Sequence, residues 1–134
     1  MTETLVRDFL AAADSLDIER FCNFLPEGVV WRFANFPVAN GIDELRQQYA
    51  MIVDIVTSMR HDIVGIWRDK ECIIAETKVH YVDRHGRSFS YSGCDLIFVD
   101  GDVIKEIRIF VDNHEMFIPP VSDLLDPASR KLPG

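Results

Sequence analysis

The chain has 134 residues, of which 48% are hydrophobic, so its length and composition fit one domain with a sizeable core. Its net charge of −8 at pH 7 argues against a nucleic-acid or anionic-membrane partner, because both need clustered Lys and Arg. The three cysteines form no CxxC pair, and the N-terminus lacks the basic start and apolar run of a signal peptide. No stretch approaches the length of a membrane span. We therefore expect a cytoplasmic protein with reduced thiols.

The first half of the chain predicts three helices and one strand, from apolar residues spaced by three or four and from a β-branched and aromatic run. In chain order these are a helix at 3–15, a helix at 18–25, a strand at 29–33 and a helix at about 42–60. Asp17 precedes the second helix as a candidate N-cap. Residues 34–41 predict an irregular loop that contains an Asn40-Gly41 turn.

The second half predicts four strands that follow one another as an antiparallel meander. They cover residues 62–68, 71–83, 87–99 and 103–112. Gly93 lies within the third of them and predicts a bulge or a bend. The predicted fold class is α+β: a cone-shaped α+β barrel over residues 1–117, with three N-terminal helices packed on a strongly bent antiparallel sheet. We expect a pocket at its open end and a loosely ordered tail at 118–134.

Two stretches resemble the SnoaL-like branch of the nuclear transport factor 2-like superfamily, and the resemblance covers about residues 3–117. The opening LAAADSLDIERFCNFLPEGVVWRF is similar to the family's first helix, aspartate, second helix and first strand. The ending DGDVIKEIRIFVD is similar to its last hairpin. The resemblance implies the cone fold and a homodimer packed through the outer sheet face. It leaves the activity open, because the fold hosts isomerases, cyclases, dehydratases, epoxide hydrolases and non-catalytic binders.

The enzymatic patterns of this superfamily are matched only in part. Of the ketosteroid isomerase pattern, the neutral aspartic acid is matched by Asp95, whereas the tyrosine falls on Phe9 and the base on residue 32 or 33. The Arg-x-Asp half of the limonene epoxide hydrolase pattern is absent. Asp112 matches the terminal aspartate of that pattern and the acid–base aspartate of SnoaL-like cyclases. The resemblance thus excludes a ketosteroid isomerase of the usual kind and singles out two aspartates.

Asp95 is the first catalytic candidate, because an acid is unexpected within an apolar strand. By two-residue alternation it shares a strand face with Tyr91 and Ile97. If that face lines the cone, desolvation raises the pKa of the carboxyl, which can then donate a proton near neutral pH. The alternative is an ion pair with Arg108 across the hairpin, which requires a register shift of one residue.

Two further acids are catalytic candidates. Asp112 ends the last strand beside His114, and such a pair at the pocket mouth would relay a proton; alternatively, Asp112 caps the next turn. Glu76 is predicted opposite or diagonal to Asp95, where two carboxylates would share one proton. A slip of one residue would instead place Glu76 on the outer face.

Several side chains are candidate ligand contacts in the pocket wall. They are Trp31, Phe33, Asn35, Tyr49, Trp67 and Tyr91. For the aromatic residues the alternative is ordinary core packing. Asn35 and Tyr49 would each bring a polar atom toward an otherwise apolar cavity.

The histidines and serines predict neither a metal site nor a nucleophilic triad. The histidines lack metal-ligand spacing, so we expect no metal. His61 is interpreted as a cap of the preceding helix, and His80 as facing solvent or a partner sheet. The serines at 88, 90 and 92 alternate along one strand, which predicts a polar outer face rather than a nucleophile.

These residues favour a cofactor-independent acid–base enzyme that acts on a small hydrophobic molecule. The reaction would be isomerisation, cyclisation, dehydration or epoxide opening, with Asp95 as the acid or oxyanion partner and Asp112 as the second proton-transfer group. The alternative is a non-catalytic small-ligand-binding or oligomerisation domain of the same fold. In that case Asp95 orients a ligand or pairs with Arg108.

Overall fold

A computed structural model, which describes residues 2–120, confirms the predicted α+β fold class. The helices are α1 (Thr2–Asp14), α2 (Ile18–Phe24) and α3 (Ile42–Ile55). The strands are β1 (Val30–Phe33), β2 (Ala39–Asn40), β3 (Val56–Asp69), β4 (Cys72–Asp83), β5 (Ser88–Asp100) and β6 (Val103–Val111). A short 3-10 helix, His114–Phe117, follows β6. The predicted tail lies outside the described residues from position 121 onward.

The helices begin and end where their capping and packing residues dictate. Asp17 caps α2 as predicted, since its side chain accepts a hydrogen bond from the backbone N–H of Arg20 at 3.1 Å. The prediction for α3 is wrong at its end, because α3 stops at Ile55 and β3 begins. A bulge between residues 56 and 58 turns both Val56 and Met59 into the core, and this spacing of three imitates a helix face. None of the helices described between residues 2 and 120 could span a membrane.

The six strands form one sheet in the order β2-β1-β6-β5-β4-β3. Strands β3 to β6 make the predicted antiparallel meander. The sheet as a whole is mixed rather than antiparallel, because β1 lies parallel to β6 and the two-residue β2 adds to the free side of β1. The sheet does not close, since β2 and β3 are its two edges.

Gly93 lies in a part of the sheet with regular register, so the bulge predicted as one alternative at this position is wrong. It pairs with Thr77 on β4 and with Val111 on β6 without a register shift. A Cβ atom at this position would lie 3.1 Å from Thr77 Oγ1, so a side chain there would crowd its neighbour. Gly93 therefore leaves space on the inner sheet face two residues before Asp95.

The helices cover the inner face of the sheet and enclose a single cluster of buried residues. The hydroxyl of Tyr49 on α3 donates a hydrogen bond to the backbone carbonyl of Ala13 at 2.6 Å. The ring of Phe21 on α2 stacks on Tyr49 with 4.2 Å between ring centroids. These contacts fix the C-terminal end of α1, where Asp14 follows Ala13, relative to α2 and α3.

Candidate active site

Asp95 lies on the inner face of β5, in register with Ala75 on β4 and Ile109 on β6. The residue is 3% exposed. The alternative ion pair with Arg108 is wrong, because Arg108 pairs with Leu96 and therefore lies on the other sheet face. There the Arg108 guanidinium donates to Glu106 at 2.5 Å. The regular register of the hairpin thus turns the acid inward without a cationic partner.

A cavity of about 40 Å³ lies between the helices and the inner sheet face beside Asp95. Its apolar wall comes from both helices and strands and includes Phe9, Trp31, Phe33, Tyr49, Met59 and Tyr81. Its polar groups come from Asp95, His61 and Thr77. An engineered cavity that takes benzene measures roughly 150 Å³. A ligand of more than a few heavy atoms therefore requires the side chains of the wall to move.

The environment of Asp95 favours its protonated form. Burial raises the pKa of this carboxyl from 3.8 to about 6, and the nearby His61 opposes part of that rise. Among residues 2–120, no group donates a hydrogen bond that would stabilise the carboxylate. A carboxyl of this kind carries a proton at mildly acidic pH and is able to donate it to a ligand in the cavity.

His61, which lines the same cavity, forms a hydrogen-bonded pair with Asp14. The Nδ1 atom of His61 lies 2.5 Å from one carboxylate oxygen of Asp14, and the backbone N–H of His61 donates to the other at 2.8 Å. Because a carboxylate only accepts, Nδ1 carries the proton in the neutral ring and leaves Nε2 as an acceptor. No other residue described between 2 and 120 contacts Nε2 through a hydrogen bond. The pair thus presents an oriented base to the cavity.

A model of the SnoaL-like domain matches residues 6–107 of the sequence. The chain belongs to the SnoaL-like domain family. No protein of curated function matches it.

Solved structures with the same fold include three with different descriptions. One is an epoxide hydrolase from M. tuberculosis like limonene epoxide hydrolase, at 19% identity and TM-score 0.70, covering 87% of this chain and 86% of that chain. Another is a candidate SnoaL-like polyketide cyclase from Jannaschia sp. CCS1, at 12% identity and TM-score 0.74, covering 89% and 93%. A third is a hypothetical protein of ketosteroid isomerase-like fold from Catenulispora acidiphila in complex with trimethylamine, at 12% identity and TM-score 0.72, covering 79% and 83%. At these identities the likeness shows the fold alone.

The cavity of this SnoaL-like protein contains three of the predicted ligand contacts. Trp31, Phe33 and Tyr49 line it. The Tyr49 hydroxyl donates its hydrogen bond to the backbone carbonyl of Ala13 and so does not donate to a ligand. Tyr91 shares the inner face of β5 but lies among the rings of Phe89 and Tyr81 rather than at the cavity. The prediction that Trp67 lines the pocket is wrong, because its side chain is exposed on the outer face.

The predicted Glu76–Asp95 dyad is wrong. Ala75 is the residue that faces Asp95, and alternation therefore turns Glu76 to the exposed outer face opposite Cys94. Asp112 and Asn35 are also exposed and line a neighbouring surface cleft. That cleft shares only Val111 with the cavity. Asp112, for which a proton-transfer role was predicted, therefore lies in a different cleft from Asp95.

Sequence reasoning missed the Asp14–His61 pair. The two residues are 47 positions apart, and the predicted extension of α3 to residue 60 made His61 look like a helix cap. Its position in β3 was hidden by the bulge at the start of that strand. The aspartate at the end of LAAAD was the available signal, because it lies within the stretch that resembles the family. Among residues 2–120, no three His, Cys, Asp or Glu side chains come together as a metal site.

Proposed function

We propose that this SnoaL-like protein is a cofactor-independent acid–base enzyme that acts on a small hydrophobic molecule bearing a carbonyl, hydroxyl or epoxide. The observation that supports it is one apolar cavity containing both a carboxyl that favours its protonated form and an oriented imidazole. Proton transfer between two substrate atoms requires one group that donates a proton and one that accepts a proton at the same site.

Each residue has a separate role in this proposal. Asp95 donates a proton or a hydrogen bond to the substrate oxygen. His61 removes a proton through Nε2, from substrate carbon or from a water molecule. Asp14 is a positioning residue, because it fixes the ring and the tautomer of His61. Isomerisation, dehydration, cyclisation and epoxide opening each use one group that donates a proton and one that accepts a proton.

The size of the cavity restricts the substrate. About 40 Å³ accommodates only a few heavy atoms, such as the reactive end of a substrate, unless the side chains of the wall move. The neighbouring cleft lined by Asn35, Asp112 and Phe117 is available for the remainder of a larger substrate. We therefore expect turnover of small epoxides and hydroxyketones before turnover of polycyclic molecules.

The experiment is an activity screen with three substitutions. The protein is incubated with small epoxides, β-hydroxyketones and β,γ-unsaturated ketones, and products are identified by gas chromatography and mass spectrometry. We expect Asp95→Asn and His61→Gln each to lower kcat by about 10²- to 10⁴-fold on the substrate class that reacts. Glu76→Gln is the matched control, because it changes an exposed carboxyl on the neighbouring strand, paired with Cys94 next to Asp95 but on the other sheet face. Rates that survive both cavity substitutions would contradict the proposal.

The pH profile provides an independent check. Because the pKa of Asp95 is about 6, the acid form disappears as pH rises beyond that value. The proposal therefore predicts that kcat falls as pH increases above about 6. A rate that stays constant from pH 5 to pH 8 would exclude Asp95 as the general acid.

A second candidate is the binding of a small amine without chemistry. The cavity combines aromatic walls with one buried carboxyl, a combination suited to a cation, and the Catenulispora acidiphila relative is in complex with trimethylamine. A bound ammonium would favour ionised Asp95, so binding should release a proton. Calorimetric titration with trimethylamine at pH 5.5, in buffers of different ionisation enthalpy, measures that release. The absence of binding heat would remove this candidate.

A further inference from the structure

The outer sheet face carries a hydrogen-bonded series of three side chains from three neighbouring strands. The Ser90 hydroxyl on β5 lies 2.7 Å from Nδ1 of His80 on β4. Nε2 of the same ring lies 2.9 Å from a carboxylate oxygen of Asp62 on β3. The other oxygen of Asp62 accepts from Arg60 at 2.6 Å. The sequence alone predicts only that Ser90 lies on a polar outer face and that His80 faces solvent or a partner sheet. The spacing of the residues does not show that Asp62 lies next to them.

The partners of His80 determine its tautomer. A carboxylate only accepts hydrogen bonds, so Nε2 carries the ring proton and donates it to Asp62. Nδ1 is then an acceptor and receives the hydroxyl proton of Ser90. This is the order of nucleophile, base and orienting acid in a Ser-His-Asp triad, with the two ring nitrogens exchanged.

A cation lies beside the serine. Lys78 and Ser92 form the pair next to His80 and Ser90 along the same face of β4 and β5. Among residues 2–120, no acid or other group binds the ammonium of Lys78. The backbone N–H groups here are engaged in strand pairing, so the Lys78 ammonium is the group that would stabilise the negative charge that forms on the ester carbonyl oxygen when Ser90 attacks.

We propose that Ser90, His80 and Asp62 form a second reactive site on the outer face, which hydrolyses small, unhindered carboxylic esters. Ser90 and Asp62 are exposed and His80 is partly exposed, so an ester reaches the hydroxyl without any opening of the fold. The site uses none of the cavity residues, so this proposal can be tested independently of the acid–base function proposed above.

The reaction balances without a cofactor. The Ser90 oxygen attacks the ester carbonyl while its proton passes to Nδ1 of His80. Collapse of the tetrahedral intermediate breaks the bond to the alkoxide, which leaves as the alcohol after taking that proton. Water then attacks the acyl-serine, again losing a proton to His80, and releases the carboxylic acid and the free hydroxyl. Asp62 is a positioning residue in every step and remains ionised throughout.

Two probes test the site. With an alkyl fluorophosphonate, the Ser90 oxygen displaces fluoride and leaves a stable phosphonyl adduct that peptide mass spectrometry locates. With p-nitrophenyl acetate, release of nitrophenolate measures turnover. We expect the adduct on Ser90, and at least a tenfold lower rate in both assays for Ser90→Ala and for His80→Gln. Ser88→Ala is the matched control, because Ser88 is an exposed serine on the same face of β5 but is outside the triad.

The role of Asp62 has its own readout. Asp62→Asn removes the carboxylate and should lower the labelling rate, whereas Asp62→Glu should recover most of it, since a carboxylate still reaches the ring. Equal labelling of Ser90 and Ser88, or nitrophenolate release that Ser90→Ala leaves unchanged, would overturn the proposal. Circular dichroism of each variant confirms that the fold is retained, which these exposed positions should allow.

Discussion

Asp95 is buried without a hydrogen bond from any group within residues 2–120, so its ionisation costs folding free energy. The unfolded chain hydrates the same carboxylate freely. The residue on which the proposed chemistry depends is therefore one that destabilises the fold at neutral pH. A conflict of this kind is common at functional sites, where groups are retained for reactivity at the expense of stability.

This conflict predicts that Asp95→Asn stabilises the protein in a pH-dependent way. Because the folded pKa of about 6 exceeds the unfolded value of 3.8, the folded state binds more protons between these values and loses stability as pH rises through them. The loss reaches roughly 3 kcal/mol above pH 6. The neutral amide avoids it, so the variant should be more stable by about that amount at pH 7.5 and by almost nothing at pH 3.5.

Urea denaturation of both proteins at the two pH values measures the difference. Asp112→Asn is the control, since it changes an exposed carboxyl and should shift the free energy of unfolding by less than ~0.5 kcal/mol at either pH. A variant that is less stable than the wild type at pH 7.5 would show that the Asp95 carboxylate has a stabilising partner.

Single residues differ in how far the sequence alone reveals their role. For Asp95 the sequence left two alternatives, because two-residue alternation shows which residues share its face but not whether that face lines the cone. The Asp14–His61 pair was not predictable, since α1 and β3 are brought together only by tertiary packing. The Ser90–His80–Asp62 series also depends on pairing between strands, and a bulge in β3 alters that pairing between residues 63 and 65. The alternation of residues within one strand shows which side chains share a sheet face. Contacts between elements that are far apart in sequence depend on how the strands pair, which the local pattern does not give.

At the scale of elements, the hairpin between β4 and β5 determines which side of the sheet Asp95 faces. The turn lies at residues 84–86, between the strands predicted at 71–83 and 87–99, and Asp83 stabilises it. The buried carboxylate of Asp83 accepts from the backbone N–H groups of His85 and Arg87 at 3.0 and 2.8 Å, and from the Arg87 side chain at 2.7 Å. A shift of one residue here would turn the inner face of β5 outward.

Asp83→Ala should therefore lower the free energy of unfolding by about 1–3 kcal/mol, because it leaves these donors without their acceptor. Thermal and urea denaturation measure the change. The matched control is Asp100→Ala at the next hairpin, where the carboxylate is exposed and accepts no hydrogen bond from any residue between 2 and 120. It should cost less than ~0.5 kcal/mol. Equal losses in the two variants would mean that the Asp83 contacts do not hold the turn.

At the scale of the whole molecule, the outer sheet face divides into two parts. One part contains the apolar side chains Trp67, Ile74 and Leu96, which lie in one row across β3 to β5 and meet the Arg108–Glu106 ion pair on β6, with Phe110 two residues further along β6. Toward the β4–β5 turn it is polar and contains the Ser90–His80–Asp62 series. The side chains of Trp67 and Phe110 are 54% and 58% exposed. Exposed aromatic residues on a continuous sheet surface are typical of a face that another protein covers.

We expect the second protein to be another copy of this chain, so that a twofold axis brings the apolar part of one outer face onto that of its partner. Trp67→Ser combined with Phe110→Ser should convert a dimer into a monomer, because it removes the exposed aromatic area that the association would bury. Size-exclusion chromatography with light scattering measures the mass. Arg60→Ser, on the polar part of the same face, should leave the dimer intact and so acts as the control. A wild-type protein that is monomeric at 100 µM, or a double variant that still dimerises, would contradict this arrangement. The ester hydrolysis proposed for Ser90 requires that such a dimer leave the polar part open to solvent.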